Sequence, residues 1–354
     1  MSTHDRKIIS KKYQFSNIAH LPLSDEQIKL RDAIQEKIGS GIYALEHCRC
    51  LCGSGDAAII AETDRYGFSL NTVICKSCGI LRTDPRLDDR SLREFYSKEY
   101  QDLYFNSGTS SISAHFKAQR TNGLYIMDFL RAHYKAFTLK GKSVMEIGCS
   151  AGGILASFLD AGAEVRGYDL NDSYLEYGRS INKGLDLRHG GIDDMKHIRD
   201  RFDLVIMNHV LEHLADPKAA VMVACGLLKD SGILFLSVPS IKNAQYYNSP
   251  TRSYLGSLHI AHLYHFSRNA LISVAEGLEP IYVDGKARGI FKRARVKKTL
   301  PFPREYERNM RFIRWRENSL SGAVSRRVDM MLHDHHFYTR ATWLLHCLRN
   351  RRAG

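Results

Sequence analysis

Residues 143–155 read SVMEIGCSAGGIL. A short apolar run of β-strand character carries Glu146 near its end. A glycine-rich turn follows, and helical spacing begins near Gly152. Strand, glycine turn and helix in that order make the nucleotide-facing corner of an open α/β sheet. The dinucleotide fingerprint G-x-G-x-x-G is met at Gly148 and Gly153, but Ser150 stands at the middle position, where glycine lets the backbone approach a pyrophosphate. Glu146 is a second departure, because a carboxylate just ahead of the turn repels a pyrophosphate and attracts a cation. The stretch predicts a nucleotide-like cofactor that lacks phosphates and carries positive charge.

Working outward, Asp169 lies 21 residues after Gly148 and ends the run EVRGYD. An acid at the tip of a second strand can take both ribose hydroxyls. S-adenosylmethionine (SAM), with a sulfonium, an α-ammonium and no phosphate, satisfies both acids. The pattern then alternates. Strands are predicted at 143–147, 164–168, 186–189, 203–208 and 233–238, with two more near 280–284 and 288–294. Helices start near Gly152, Ser173 and Pro217, the last behind Asp216 as a cap. This is an α/β chain with a doubly wound, Rossmann-like, seven-stranded, mostly parallel sheet. Ahead of it the spacing predicts helices at 24–38, with Ser24 and Gln27 as a capping box, at 91–104 and at 114–134. NSGTSS (106–111) reads as a linker. The chain divides into a helical lead-in (1–45), a cysteine-rich ribbon (46–105), the cofactor domain (106–296) and a basic helical extension (297–354).

Three segments together resemble the class I SAM-dependent methyltransferases: EIGCSAG from Glu146, YDL from Tyr168, and FDLVIMNHVLEHLADP at 202–217. The resemblance spans about residues 115–295. It implies that Gly148, Cys149, Ser150 and Gly152 surround the methionine part, that Asp169 with Leu170 beside it holds the ribose, and that the loop from Asn208 borders the methyl donor. It also implies adenine contacts just after the third strand. There Gly191 replaces the acid usual in the family, leaving Ile192 and Asp193.

His209, Glu212 and His213 spell H-x-x-E-H, the inverted zinc-protease string. That reading needs one continuous helix, whereas here the string leaves a buried strand and runs into Asp216-Pro217. Three readings stay open: His213 or His209 as a general base, a divalent metal on His209, Glu212 and His213, or simple packing of the loop. LHIAHLYHFSRNAL (258–271) resembles the family's acceptor-pocket segment, with His259, His262, Tyr264 and His265 able to face substrate. His262 is the first choice of base, since methyl transfer to a hydroxyl needs its proton removed.

Five of the eight cysteines fall within residues 48–78. Cys50 and Cys52, then Cys75 and Cys78, form two pairs suited to a tetrahedral structural Zn²⁺ site, with Cys48 spare. Four thiolates close the site, so its role is structural. The ribbon with DRYG (64–67) and the later PR resembles methyltransferases of surface-polysaccharide and sugar-modification clusters. That resemblance implies a sugar or glycoconjugate acceptor.

The 354 residues carry a net charge of +13. Such a balance favours an anionic partner: a charged sugar or glycoconjugate, an anionic membrane surface touched by the basic C-terminal helices, or, less favoured, nucleic acid. No apolar run is long enough to span a bilayer, and MSTHDRKIISKKYQF has no signal-peptide core, which predicts a cytoplasmic protein. Oligomeric state is not encoded in any motif here.

Overall fold

The computed structural model describes residues 4–105, 109–136, 138–242, 253–294 and 300–318. The amino-terminal part contains β1 (Asp5–Arg6), α1 (Asp25–Gly39), β2 (Leu45–Glu46), β3 (Ala57–Ala61), β4 (Thr72–Cys75), β5 (Leu81–Thr83), β6 (Arg86–Leu87) and α2 (Asp89–Lys98). Helices α3 (Tyr100–Phe105) and α4 (Thr109–His133) lead into β7 (Ser143–Ile147), α5 (Gly153–Asp160), β8 (Glu164–Asp169), α6 (Asp172–Ile181), β9 (Asp186–His189), β10 (Phe202–Asn208), α7 (Pro217–Gly226) and β11 (Leu228–Ser237). Then come β12 (Tyr264–His265), α8 (Arg268–Val274), β13 (Leu278–Val283), β14 (Arg288–Arg293) and α9 (Tyr306–Asn318).

The large sheet has the order β13-β14-β11-β10-β7-β8-β9. The five members from β11 to the edge strand β9 run parallel, while β14 is antiparallel to β11 and β13 antiparallel to β14. Strands β7 and β10 are buried on both faces because helices cover both sides of the sheet. At the foot of these strands the Ser143 amide and hydroxyl donate to Asp203, and Lys142 and Lys229 pair with the same carboxylate. That staple fixes the β7–β10 register at the end away from the glycine turn.

The second sheet has the order β1-β3-β4-β5-β12. Its last strand comes from the segment after β11, so the chain returns from the large sheet to complete the small one. The Leu263 carbonyl accepts from the Thr83 amide, and the Thr83 hydroxyl donates to the His262 carbonyl. On the other side α9 buries Met310 and Ile313 against Ile9, Tyr13, Ile60 and Tyr254, and Asn309 Nδ2 donates to the Gly79 carbonyl.

Two expectations shift in detail. The helix expected over 91–104 is broken at Glu99, whose carboxylate accepts from the Tyr43 hydroxyl and pairs with Lys37. Of the expected linker, residues 109–111 already belong to α4. The Ser24–Gln27 capping box and the Asp216 cap ahead of Pro217 are both present. No helix among the described residues is long and apolar enough to cross a membrane. The segment ATWLLHCLRNRR and the cluster of His333, His335 and His336 lie outside the described residues.

Candidate active site and metal centre

The glycine turn is closed by two amides, Gly148 and Cys149, that both donate to the Tyr168 carbonyl. Gly148, Ser150 and Gly152 all take left-handed φ, at 74°, 52° and 76°. Gly148 must do so against a crowded neighbour, for a Cβ there would stand 2.4 Å from Val210 Cγ2. Ser150 adopts the same region without being glycine, and its amide donates to Asp169 Oδ2 at 2.8 Å. Asp169 Oδ1 accepts from Asn171 at 2.9 Å. The acid is thereby held rigid by main-chain donors, with lone pairs left over for hydroxyl donors. Leu170, half exposed, offers an apolar face beside it.

Glu146 is 2% exposed, lies between Gly167 and Ile206 in the sheet, and its Oε2 has no hydrogen-bond partner. Burial, and behind it the charge of Asp169, pushes its carboxyl well above the usual range. A buried carboxylate without a partner is costly, and a cation is what relieves it. Cys149 is buried, with its sulfur packed against Gly167. Asn208 ends β10 opposite Ser237. Ile192 packs on the main core, whereas the Asp193 side chain is exposed and pairs with Lys196 at 2.6 Å. It is Asp194 that holds this loop, accepting from the Gly191 amide.

On the other side of the turn, His209 takes φ 56° and places Nδ1 3.1 Å from Glu212 Oε1. Glu212 is fully buried. His213 and His262 bring their Nε2 atoms to 3.9 Å from the same oxygen. The His259 and His262 rings lie with centroids 3.4 Å apart, and burial pushes both imidazoles well below their usual range. His265 is buried too, pushed down to about 4 by the same cause. Tyr264 turns away and meets Arg86 and the Ala215 carbonyl.

Facing these histidines are Tyr96, Tyr100 and Tyr104, one above another at ring-centroid distances of 4.9 and 4.5 Å. Tyr96 hydrogen-bonds His213, and Tyr104 hydrogen-bonds His259. Arg65 lies over the rings of Tyr66 and Tyr104, 4.9 Å from each. Asp64 braces the wall by accepting from the amides of Tyr66, Phe68 and Ile260. Tyr100 feels the charges of both Glu212 and Asp169, so the tyrosine row lies between the glycine turn and the histidine cluster.

The four ribbon cysteines converge. Their sulfurs all lie within 4.8 Å of one another, with Cys50 and Cys78 3.4 Å apart and Cys52 and Cys75 3.6 Å apart. Tetrahedral Zn²⁺ with bonds of about 2.3 Å requires roughly 3.8 Å between sulfurs, so the thiol set fits such an ion. Gly53 and Gly79, with φ 87° and 77°, turn the chain after each pair. Cys48 stands apart, its sulfur near the Thr83 carbonyl.

Residues 118–278 match a family model described as a methyltransferase domain. The chain carries a class I SAM-dependent methyltransferase domain. Among curated proteins, ubiquinone biosynthesis O-methyltransferase of Haemophilus ducreyi is 32% identical over 126 residues, covering 32% of this chain and 53% of that protein. The Coxiella burnetii protein of the same name is 27% identical over 126 residues, covering 34% and 54%. The chain thus spans about half the length of the curated relatives it matches. Among solved structures, magnesium protoporphyrin IX methyltransferase of Synechocystis aligns at TM-score 0.41 and 16% identity, covering 58% of this chain and 98% of that one. An amino pentose methyltransferase of Micromonospora echinaspora aligns at TM-score 0.39 and 16% identity, covering 53% and 98%. At these scores neither assigns an acceptor.

Of the cofactor residues expected from sequence, Gly148, Cys149, Ser150 and Gly152 form one turn, Glu146 lies in the strand before it, and Asp169 accepts from the Ser150 amide in that turn. The residues that sequence reasoning missed lie outside the domain: Tyr96, Tyr100 and Tyr104 come from the segment before it. Their spacing of four was visible as helical periodicity, but nothing local says which surface they face.

Proposed function

We propose that the chain methylates a hydroxyl of an anionic sugar or glycoconjugate, with SAM as donor. When bound, SAM supplies an electrophilic methyl group on a sulfonium. Glu146 would face its positive charge and Asp169 its ribose. The turn of Gly148 to Gly152 would wrap the methionine part, and Leu170 would cover the adenine edge. The chain's own contribution to catalysis is alignment, since an acceptor held in line already gains most of the available rate.

The observation that carries the acceptor reading is the tyrosine row opposite the histidines. Aromatic faces suit the apolar face of a pyranose ring. Phenol and imidazole edges suit its hydroxyls. Arg65, with its Nε buried and unpartnered, supplies positive charge for a carboxylate or phosphate. A phenolic acceptor is the second reading: the same wall suits a flat ring, and the curated relatives are named for ubiquinone biosynthesis.

The test is transfer of labelled methyl from SAM to a panel of nucleotide sugars, uronic acids, sugar phosphates and catechols. Turnover of charged sugars that falls on Arg65→Ala supports the first reading. Turnover of catechols alone replaces it with the second. If the purified chain does not bind SAM, both are wrong.

A further inference from the structure

We infer that Glu212, His213 and His262 are the protein ligands of a divalent cation on the acceptor side of the cleft. What the cation does there rests on the methyltransferase reading, but the site itself does not.

The hydrogen bonds set the tautomers. His213 Nδ1 lies 2.8 Å from the Ala261 carbonyl, and His262 Nδ1 lies 3.2 Å from the Ser257 carbonyl. A carbonyl only accepts, so both Nδ1 atoms carry the proton. Tyr96 does not change this, because its hydroxyl donates to the same Ala261 carbonyl at 3.2 Å. Each neutral ring therefore presents an Nε2 lone pair, and both lone pairs are turned toward Glu212 Oε1 at 3.9 Å. That separation is beyond hydrogen bonding. Glu212 is fully buried and its Oε2 has no partner.

A carboxylate and two imidazole lone pairs thus face one another in a buried space with no proton between them. Left so, the lone pairs repel one another, Oε1 has a donor only in His209, and Oε2 has none. A cation among them would take both ring lone pairs and neutralise the carboxylate. An Nδ1–H held by a backbone carbonyl is also the support that metal-bound imidazoles use. Two imidazoles and one carboxylate suit the borderline ions Zn²⁺, Mn²⁺ and Fe²⁺, and three protein donors leave other positions open. His209, with Nδ1 3.1 Å from Oε1, steadies the carboxylate from the exposed side.

An acceptor hydroxyl in an open position would bind the ion through oxygen and lose its proton to water. The oxygen's electron pair would then form the bond to methyl as the methyl–sulfur bond breaks, that pair leaving with the sulfur. In this assignment His262 is a ligand and not a free base.

The probe is Mn²⁺ titrated into the chelator-treated full chain and followed by the paramagnetic signal of the free ion, since the ribbon thiolates favour softer ions. One Mn²⁺ per chain is expected. Binding should weaken by at least about a hundredfold in both His262→Ala and the isosteric Glu212→Gln. Asp160→Ala, which removes an exposed α5 carboxylate paired with Arg120, should leave it unchanged. Calorimetry with SAM on the same proteins reports folding and cofactor binding separately. SAM binding without Mn²⁺ binding, or Mn²⁺ binding indifferent to Glu212→Gln, overturns the cation site and leaves the methyltransferase reading standing. Mn²⁺ binding lost in the variants, with no SAM binding by any protein, keeps the site and overturns that reading.

Discussion

Gly148 and Val210 are interlocked: a single added methyl on Gly148 would stand 2.4 Å from Val210 Cγ2. The glycine turn and the loop that carries His209, Glu212 and His213 therefore pack in direct contact. Gly148→Ala is expected to lower the thermal midpoint, since a left-handed alanine alone costs roughly 1–2 kcal/mol, and to abolish measurable SAM binding by calorimetry. Pairing it with Val210→Ala should recover only the part due to the clash. A Gly148→Ala chain that binds SAM normally would contradict this packing.

Glu146 should announce the cofactor's charge through protons. Its carboxyl is pushed up in the free protein, chiefly by burial, and a bound cation pulls it down again. Binding therefore releases a proton at pH values between the two states, and affinity rises with pH across that window. Calorimetry in buffers of different ionisation enthalpy measures the release directly. Glu146→Gln should bind SAM more weakly and release none.

Asp169 is held by the Ser150 and Asn171 amides, so its alanine variant loses both the ribose contact and a turn support. A hydrogen bond to a charged group is worth about 1.5–3 kcal/mol, which is a loss of tenfold or more in affinity. Equal affinity of Asp169→Ala and the native chain would remove Asp169 from the cofactor site.

Asp64 predicts a dependence of stability on pH. Burial raises its pKa to about 6 against the pull of three amides. The folded chain then holds this proton more tightly than the unfolded one. The stabilisation is complete below the ordinary aspartate value near 4 and is lost as pH rises toward 6, amounting to about 3 kcal/mol in all. Chemical denaturation of Asp64→Asn should lack that slope. The Ile260 amide in the variant should exchange hydrogen faster, since Asn Nδ2 cannot accept from it.

Removing the ribbon ion should harm the acceptor side more than the donor side. Cys75→Ser with Cys78→Ser is expected to lose about one zinc per chain by metal analysis. SAM affinity should stay within about threefold, while turnover falls more than about tenfold. A metal-free, fully active double variant would show that the thiols need no ion.

The large sheet was legible because each strand is a short apolar run closed by a turn or a cap, as with Asp216 ahead of Pro217 and the glycines after Ile147. Glu146 and Asp169 were legible because an acid at a strand tip is a local anomaly. The acceptor side was legible only in part. His213 and His262 are 49 residues apart in the sequence, and nothing in either string says that both rings turn to Glu212. The tyrosine row showed its period but not its target. Likewise the sequence marks the segment of α9 as basic and helical, but not that Met310 and Ile313 pack with Tyr13 and Tyr254.

The pairing of β12 with β5 has a consequence for how this chain can be divided. Because the segment that carries Tyr264 and His265 is woven into the ribbon's own sheet, the first hundred residues are not an appendage that evolution or an engineer can trim or exchange. A transplanted ribbon would have to bring a matching strand, and any new acceptor preference must be selected on both sides of that seam together.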